Sequence, residues 1–467
     1  MLGSNRDTAG WLGHRGVGML DGGRRLGLMT DLYELRMADT CLRHGQTAPA
    51  TFSLYVRPTR HRPWLLSAGT QPALELIERF RYGDEELEFL HGLGLSSELV
   101  DHLADFALSG EVWAVPDGTV VLGDEPLLEV TAPLPDAMLV ETALLSVVQF
   151  TTLIATKAAR CTLVADGRQL ADFGARRAHG LQAGVEAARA AYLGGVDATS
   201  NVEAGRRHRI PVTGTMAHSF IQAWEDEQAA FEAFACDHPG NAVLLVDTYD
   251  TIEGVDNAIT VGELLRRRDQ SLDGVRLDSG DLAQLAHETR RMLDDAGFTE
   301  ARIIASGGID EWKIADLAEV DAPIDAFGVG TALTVSSDYP AFDIVYKLVE
   351  YQGRPRAKYS EGKVLLPGPK QVFRRDGPST DVLARRDEPL PDGHQALLQP
   401  VWRQGGRLVD EDLEQVRQRA ADQLDRLPAT WRHPDGPQDL PRPRVSDELS
   451  RLADEVRQRD FDDHGHS

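Results

Sequence analysis

The chain has 467 residues, a net charge of −25, and six lysines among its 49 basic residues. That balance argues against nucleic acid as a partner, which calls for a basic stripe. An anionic substrate would need a local basic pocket. The three cysteines, Cys41, Cys161 and Cys236, are scattered without metal or disulfide spacing and fit a reducing cytosol. No apolar run approaches the ~20 residues of a membrane span. The opening "MLGSNRDTAGWLGHRGVGML" lacks the apolar core of a signal peptide. The expectation is a cytoplasmic protein with no membrane partner.

Residues 1–25 are rich in Gly and Arg and are expected to be a disordered tail. From Leu28 a helix is predicted, with Leu32, Leu35, Met37 and Ala38 on its apolar face and Thr30 as N-cap. "ATFSLYVRP" (50–58) reads as a strand and "PALELIERFRYGDEELEFLHGL" as helical. "EVWAVPDGTVVLGDEPLLEVTAP" (111–133) reads as a β-meander, with turns at Pro116–Gly118 and Gly123–Asp124. Residues 26–135 thus form the first part of an α+β domain.

"ALLSVVQFTTLIATKAARCTLVA" predicts a long helix, and after it the pattern changes. Short apolar strands alternate with amphipathic helices up to "IDAFGVGTALT". Repeated βα units require a parallel sheet, because parallel strands need long crossovers. At least six units without a dinucleotide-binding fingerprint favour a (β/α) TIM-like barrel over 136–350. Pro355 to Lys370 read as a hairpin returning to the first domain, which continues over 351–425. Residues 426–467 read as a charged C-terminal tail. "DEDLEQVRQRAADQL" and "VSDELSRLADEVRQR" are taken as solvent-facing helices, and "HGHS" as a frayed end.

Each βα unit ends its apolar run on a polar cluster: "FGARR" (173–177), "GTMAH" (214–218), "DTYDT" (247–251), "RLDSGD" (276–281), "SGGID" (306–310) and "GVGT" (328–331). Taken singly, each could be a turn or a helix cap. Six in succession, all at the strand ends where barrel enzymes hold their sites, point to one shared active site. Gly307, Gly308 and Gly330 allow backbone N–H groups close to phosphate oxygens, with Thr331 at the following helix start. Arg176 and Arg177 could clamp further phosphate charge. Asp247, Asp278 and Asp281 could hold Mg²⁺ or sugar hydroxyls, capping being the alternative role, above all for Asp281. Arg276, if buried, requires an anion: a small carboxylate ligand or a neighbouring Asp. His218 follows a turn of small residues and could act as acid, base or nucleophile, forming phosphohistidine from ATP. A packed core histidine is the competing role.

At these motifs the chain resembles the nicotinate phosphoribosyltransferases. The resemblance runs in consistent order through "LMTDLYELRMA", "FSLYVRP", "FGARRAHG", "GTMAHSF", "VDTYDT", "VRLDSGDL", "FGVGTALT" and "VYKLVE". It implies an irregular α/β barrel packed against a split α+β domain. It also implies a reaction: nicotinate attacks C1 of phosphoribosyl pyrophosphate, giving nicotinate mononucleotide and pyrophosphate. ATP and Mg²⁺ assist through a phosphorylated histidine, by position His218. The resemblance further assigns Tyr33 to stacking on the pyridine ring, Thr215 and Arg276 to nicotinate, and Thr331 to the phosphoribosyl group. It implies a homodimer with the tyrosine offered across the interface. The competing readings are a nicotinamide phosphoribosyltransferase, whose acceptor is neutral, and a non-catalytic sensor that binds mononucleotide. A quinolinate enzyme would need a more basic pocket.

Overall fold

The computed structural model describes residues 25–360 and 363–464. The expected disordered tail therefore lies, except for Arg25, outside the described residues. Two hydrophobic cores organise the rest.

The first core lies against a seven-stranded sheet. Its order is Arg354–Pro355, Ile344–Tyr351, Pro49–Val56, Pro126–Pro133, Glu111–Ala114, Gln399–Arg403 and Gly406–Arg407. Pro49–Val56 is flanked on both sides, Leu54 facing Tyr346 on one neighbour and Leu128 on the other. Seven of its eight residues are buried, so it reads as a continuous apolar run instead of an alternating one. Phe52 stacks on Tyr346 with centroids 4.8 Å apart. Ile344–Tyr351 thus belongs to this antiparallel sheet, and the expected boundary at residue 350 falls too late. At the first helix, Leu32–Arg43, the N-cap is Asp31 and not Thr30. The Thr30 hydroxyl goes to the buried Glu34 carboxylate instead.

The second core surrounds a six-stranded sheet. Its order is Ala198–Thr199, Gln169–Asp172, Ala326–Val329, Arg302–Ala305, Gly274–Leu277 and Val243–Leu245, and every pairing is parallel. The crossovers are helices, as parallel pairing demands. Thr199 adds a single parallel bridge to Val212. Among the described residues no ladder joins Val243–Leu245 to that far edge, so hydrogen bonding does not close the sheet. The segment after Val212 reaches towards the open side through side-chain bonds: Asn241 Nδ2 donates to Gly214 O (3.2 Å). Arg276 Nη1 donates to Met216 O (3.3 Å).

The helix Glu141–Val164 joins the two cores. Contrary to the expectation that no apolar run approaches the length of a membrane span, it is long and apolar enough to cross one, yet most of it is buried inside the protein. Its first half (Val147, Val148, Leu153) packs into one core and its second half (Ile154, Ala155, Ala158) into the other. A helix apolar on most sides belongs in an interior. Its threonines serve the fold too, Thr156 Oγ1 accepting the Leu66 N–H at 2.9 Å.

The C-terminal segments are more integrated than their charge suggests. Lys370–Arg374 centres a four-stranded sheet with Val382–Arg385, Gln395–Ala396 and Arg444–Val445. Helix Leu413–Asp425 was expected to face solvent, but it places Val416, Ala420 and Leu424 in the second core. Helix Asp447–His464 buries Leu449 and Val456, so the expected charged tail is docked structure. The four-residue apolar spacing is a helix face that the surrounding charge conceals.

Candidate active site

Five of the six polar clusters lie at the carboxyl ends of parallel strands, whereas "GTMAH" follows no strand of the sheet, only the single bridge at Val212; helix capping sorts their acids into two groups. Asp250 accepts the N–H groups of Ile252 and Glu253, each at 3.0 Å. Asp281 accepts that of Gln284 (3.2 Å) and Asp310 that of Lys313 (2.9 Å). These three are structural caps. Asp281 thereby takes the structural role held open for it. Asp247 and Asp278 remain for chemistry.

Arg276 organises the centre. Its Nε donates to Ser306 Oγ (3.0 Å), its Nη1 to Thr215 Oγ1 (2.9 Å) and Met216 O, and its Nη2 to Asp278 Oδ1 (3.2 Å). Four of the five guanidinium donors are used, leaving one N–H on Nη2. The guanidinium also lies over the ring of Phe173, 5.8 Å from its centroid. The anion that Arg276 requires is thus provided within the chain by Asp278. Burial pushes the Asp278 carboxyl up, but the Ser306 hydrogen bond, Arg276 and, more weakly, His218 together hold it below the usual carboxylate range.

Asp247 sits beside this group. Its Oδ2 accepts the Asp278 N–H (3.2 Å) and the Ser279 hydroxyl (2.6 Å). Its Oδ1 is buried without a partner. A buried carboxylate oxygen left unpaired carries a desolvation cost, which a cation or a ligand hydroxyl would relieve. His218 opens the short helix His218–Gln222 after an extended Ala217. Its ring is half-buried and its Nδ1 lies 3.1 Å from Thr248 Oγ1. It is therefore not a packed core histidine.

The phosphate-type loops flank this centre. Gly307 takes a left-handed φ of +78°, and a Cβ there would fall 1.8 Å from Asp278 O, so a side chain is excluded twice over. Gly308 follows it. Gly330 precedes the short helix Thr331–Thr334, with Thr331 exposed at its head. The "FGARR" turn packs directly on that helix: a Cβ on Gly174 would lie 1.5 Å from Thr334 Oγ1. Asp172 ties these pieces together from the interior, accepting Gly174 N–H (2.8 Å) and the Thr199 hydroxyl (2.8 Å). Burial pushes its carboxyl up, against those bonds. Arg176 and Arg177 are exposed, and no side-chain partner holds either among the described residues.

The structure therefore brings together Thr215, His218, Asp247, Arg276 and Asp278, with the glycine loops at their edge. It does not bring Tyr33 there. That tyrosine is 46% exposed on helix Leu32–Arg43, and its hydroxyl faces Glu141 and Glu34. Burial, then those two carboxylates, push its pKa up. Sequence reasoning did not single out Ser306, Thr248, Phe173 or Asp172. The first three stand inside quoted motifs, and the signal was their place directly at a strand end.

It also missed a second feature, which has no local signal. A cavity of about 660 Å³ lies against the first sheet, lined by Arg57, Lys347, Lys358, Lys370 and Arg442 among apolar neighbours such as Tyr55 and Leu365. Three of the chain's six lysines converge there.

The comparisons bear on both features. The family model described as the nicotinate phosphoribosyltransferase N-terminal domain matches residues 28–149. The one described as the nicotinate phosphoribosyltransferase family matches 168–364. A nicotinate phosphoribosyltransferase of Mycobacterium tuberculosis is 44% identical over 412 residues, covering 87% of this chain and 88% of its own. The chain belongs to the nicotinate phosphoribosyltransferase family. A Bacillus subtilis nicotinate phosphoribosyltransferase is 42% identical over 382 residues, with 79% and 78% of the two chains covered. The crystal structure of human nicotinic acid phosphoribosyltransferase matches with a TM-score of 0.81 at 29% identity, over 91% of this chain and 99% of that one. The second family model contains every strand-end cluster. The basic cavity straddles both family models and extends beyond them, at Lys370 and Arg442.

Proposed function

We propose that this protein is an ATP-assisted nicotinate phosphoribosyltransferase of NAD salvage, working as a cytoplasmic homodimer. Nicotinate, phosphoribosyl pyrophosphate and ATP would give nicotinate mononucleotide, pyrophosphate, ADP and phosphate. One observation carries the reading: a guanidinium, two acids and a half-buried imidazole meet at the strand ends beside glycine loops.

Arg276 keeps one N–H free, and Thr215, which accepts from Arg276, donates its hydroxyl hydrogen to Met216 O only at 3.5 Å, a weak bond that a ligand carboxylate would replace. Two convergent donors suit a carboxylate, whereas an amide would set its NH₂ against one of them. This selects nicotinate over nicotinamide by a two-point contact, not by a bidentate guanidinium fork. At His218, the tautomer in which Nδ1–H donates to Thr248 would leave the lone pair on Nε2. That nitrogen would attack the γ-phosphorus of ATP as ADP leaves.

The orphaned Asp247 Oδ1 and the Asp278 carboxylate fit Mg²⁺, an ion held by one or two carboxylates while it keeps waters and phosphate ligands. When bound, Mg²⁺ would neutralise charge on the departing pyrophosphate. Arg176, Arg177, Gly307, Gly308, Gly330 and Thr331 would bind the phosphate groups. The parallel unit would act as an irregular barrel, its open side spanned by the segment that carries Thr215 to His218. Leu28, Met29, Leu32 and Met37 are exposed around Tyr33. A second copy covering that apolar face would carry Tyr33 to the neighbouring site.

The test uses γ-labelled ATP. An acid-labile label on the protein, absent from His218→Asn, followed by mononucleotide formation on adding nicotinate and phosphoribosyl pyrophosphate, supports the reading. Label retained in His218→Asn removes the histidine from the mechanism, and absence of any product favours a sensor.

A further inference from the structure

Two acids downstream of the glycine loops, one directly after the first loop and one eight residues after Gly330, meet on one buried lysine. Glu311 is the next residue after the 306–310 loop, and Asp338 lies just beyond helix Thr331–Thr334. Both pair with Lys157, on the joining helix Glu141–Val164; Nζ is 2.7 Å from Asp338 Oδ1 and closer still to Glu311. The side chains of Lys157 and Glu311 are both 0% exposed. Arg160, one turn along, donates to the other Glu311 oxygen at 2.9 Å. Arg62 holds both Asp338 oxygens, at 2.7 and 3.0 Å, and Ser336 Oγ at 2.8 Å. The ring of Trp312 lies 4.8 Å from the ammonium.

Packing alone does not call for a lysine there. An apolar side chain of similar volume generally serves as well or better, because a buried ion pair recovers little net energy. What the charge adds is geometry. Arg302–Ala305 and Ala326–Val329 are paired neighbours, so the ladder fixes their spacing. The loops beyond their ends have no ladder between them. Their separation is left to side chains, and Lys157 bridges the chain just behind each.

We propose that Lys157 is a positioning residue that sets the spacing of the two glycine loops, and with it the affinity for phosphoribosyl pyrophosphate but not for nicotinate. The proposal rests on reading those loops as the phosphate site. A phosphate gripped from both sides depends on that spacing to within about 0.5 Å. Nicotinate, held at Arg276 and Thr215, does not, because Ser306, which anchors Arg276 Nε, is itself fixed at the strand end by its N–H donating to Leu277 O (2.8 Å).

The experiment compares wild type, Lys157→Met and the milder, half-exposed Asp338→Asn. Steady-state kinetics give KM for each substrate, and calorimetric titration with inorganic pyrophosphate reads the same loops without turnover. The expected result is a rise of about tenfold in KM for phosphoribosyl pyrophosphate and in pyrophosphate Kd, within the about three- to thirtyfold range of coupled positions. KM for nicotinate should stay within about twofold. Equal rises in both KM values, or a fall in Tm alone, would overturn the positioning role. If Lys157→Met does not fold, Asp338→Asn decides. A wild type that fails to bind pyrophosphate sinks the reading of the loops and the positioning role together. Binding that is normal and equal in all three proteins sinks only the latter.

Discussion

Arg276 and Arg374 each use four of five guanidinium donors, yet they belong to different kinds of place. Arg276 stands at a strand end, mostly among neutral partners, beside the half-buried Asp278 and an Asp247 oxygen with no partner. Arg374 lies in the seam where the C-terminal sheet meets the rest. It is held by both Asp381 oxygens, Gln423 and the Val120 carbonyl, with Arg374 and Asp381 both nearly fully buried. Arg374 and Asp381 are paired within the fold and shut from water, and burial, followed by the Asp381 charge, pushes the neighbouring Glu125 carboxyl up. The strand-end charges are left partly open. Access to solvent, more than residue type or unused hydrogen-bonding capacity, separates a site from a weld.

That distinction can be broken by moving stability and activity apart. Arg374→Met leaves Asp381 buried without its cation, and should cost about 3–5 kcal/mol of stability, read by urea denaturation. The protein that remains folded should keep its specific activity. Arg276→Ala should do the reverse. It should lower kcat/KM for nicotinate about thirty- to five-thousandfold, equivalent to about 2–5 kcal/mol, while Tm changes little. A large Tm loss with unchanged kcat/KM would place Arg276 with the welds.

The seam between the first sheet and the parallel unit should show itself in pH dependence. Burial pushes the Glu186 carboxyl up to about 7, Arg189 only partly opposing it. A raised carboxylate holds its proton longer in the folded state than in the unfolded one. Its contribution is fully present below the ordinary carboxylate range and is lost as pH rises to about 7, a change on the order of 3 kcal/mol. Glu186→Gln should flatten that part of the Tm–pH profile, and an unchanged profile would refute the assignment. Asp278 runs the other way. Its depressed carboxyl stabilises above the usual range, and that contribution fades as pH falls through it.

The smallest effects sharpen the comparison within one loop. Gly307→Ala meets both a positive φ and the Asp278 carbonyl, and should cost about 1–3 kcal/mol together with site geometry. Gly308→Ala has a positive φ but open space, and should cost about 1 kcal/mol. Equal losses would mean that the contact with Asp278 does not matter.

Much of the parallel unit was legible in the chain. Its strands are short apolar runs, its crossovers carry amphipathic periodicity, and its candidate side chains, those of the Thr215–His218 segment excepted, follow directly in sequence. Cluster membership for His218, Thr215, Arg276 and Asp278 could therefore be read locally. Which aspartates were caps could not, because capping depends on the turn that forms after each strand. Ser306 and Thr248 act through neighbours some 30 residues away, a relation that no local pattern encodes.

What the sequence determined by itself was periodicity: alternating strands and helices, hence a parallel sheet with polar residues gathered at one end. What only the tertiary structure decided was convergence. The strand Ile344–Tyr351 pairs with Pro49–Val56, the basic cavity draws from residues 57 to 442, and Lys157 meets Glu311 and Asp338 across more than 150 residues. Periodicity is a property of neighbouring residues and survives in the order of the letters. Pairing across a core depends on which faces are buried together, and that is fixed only when the whole chain has packed.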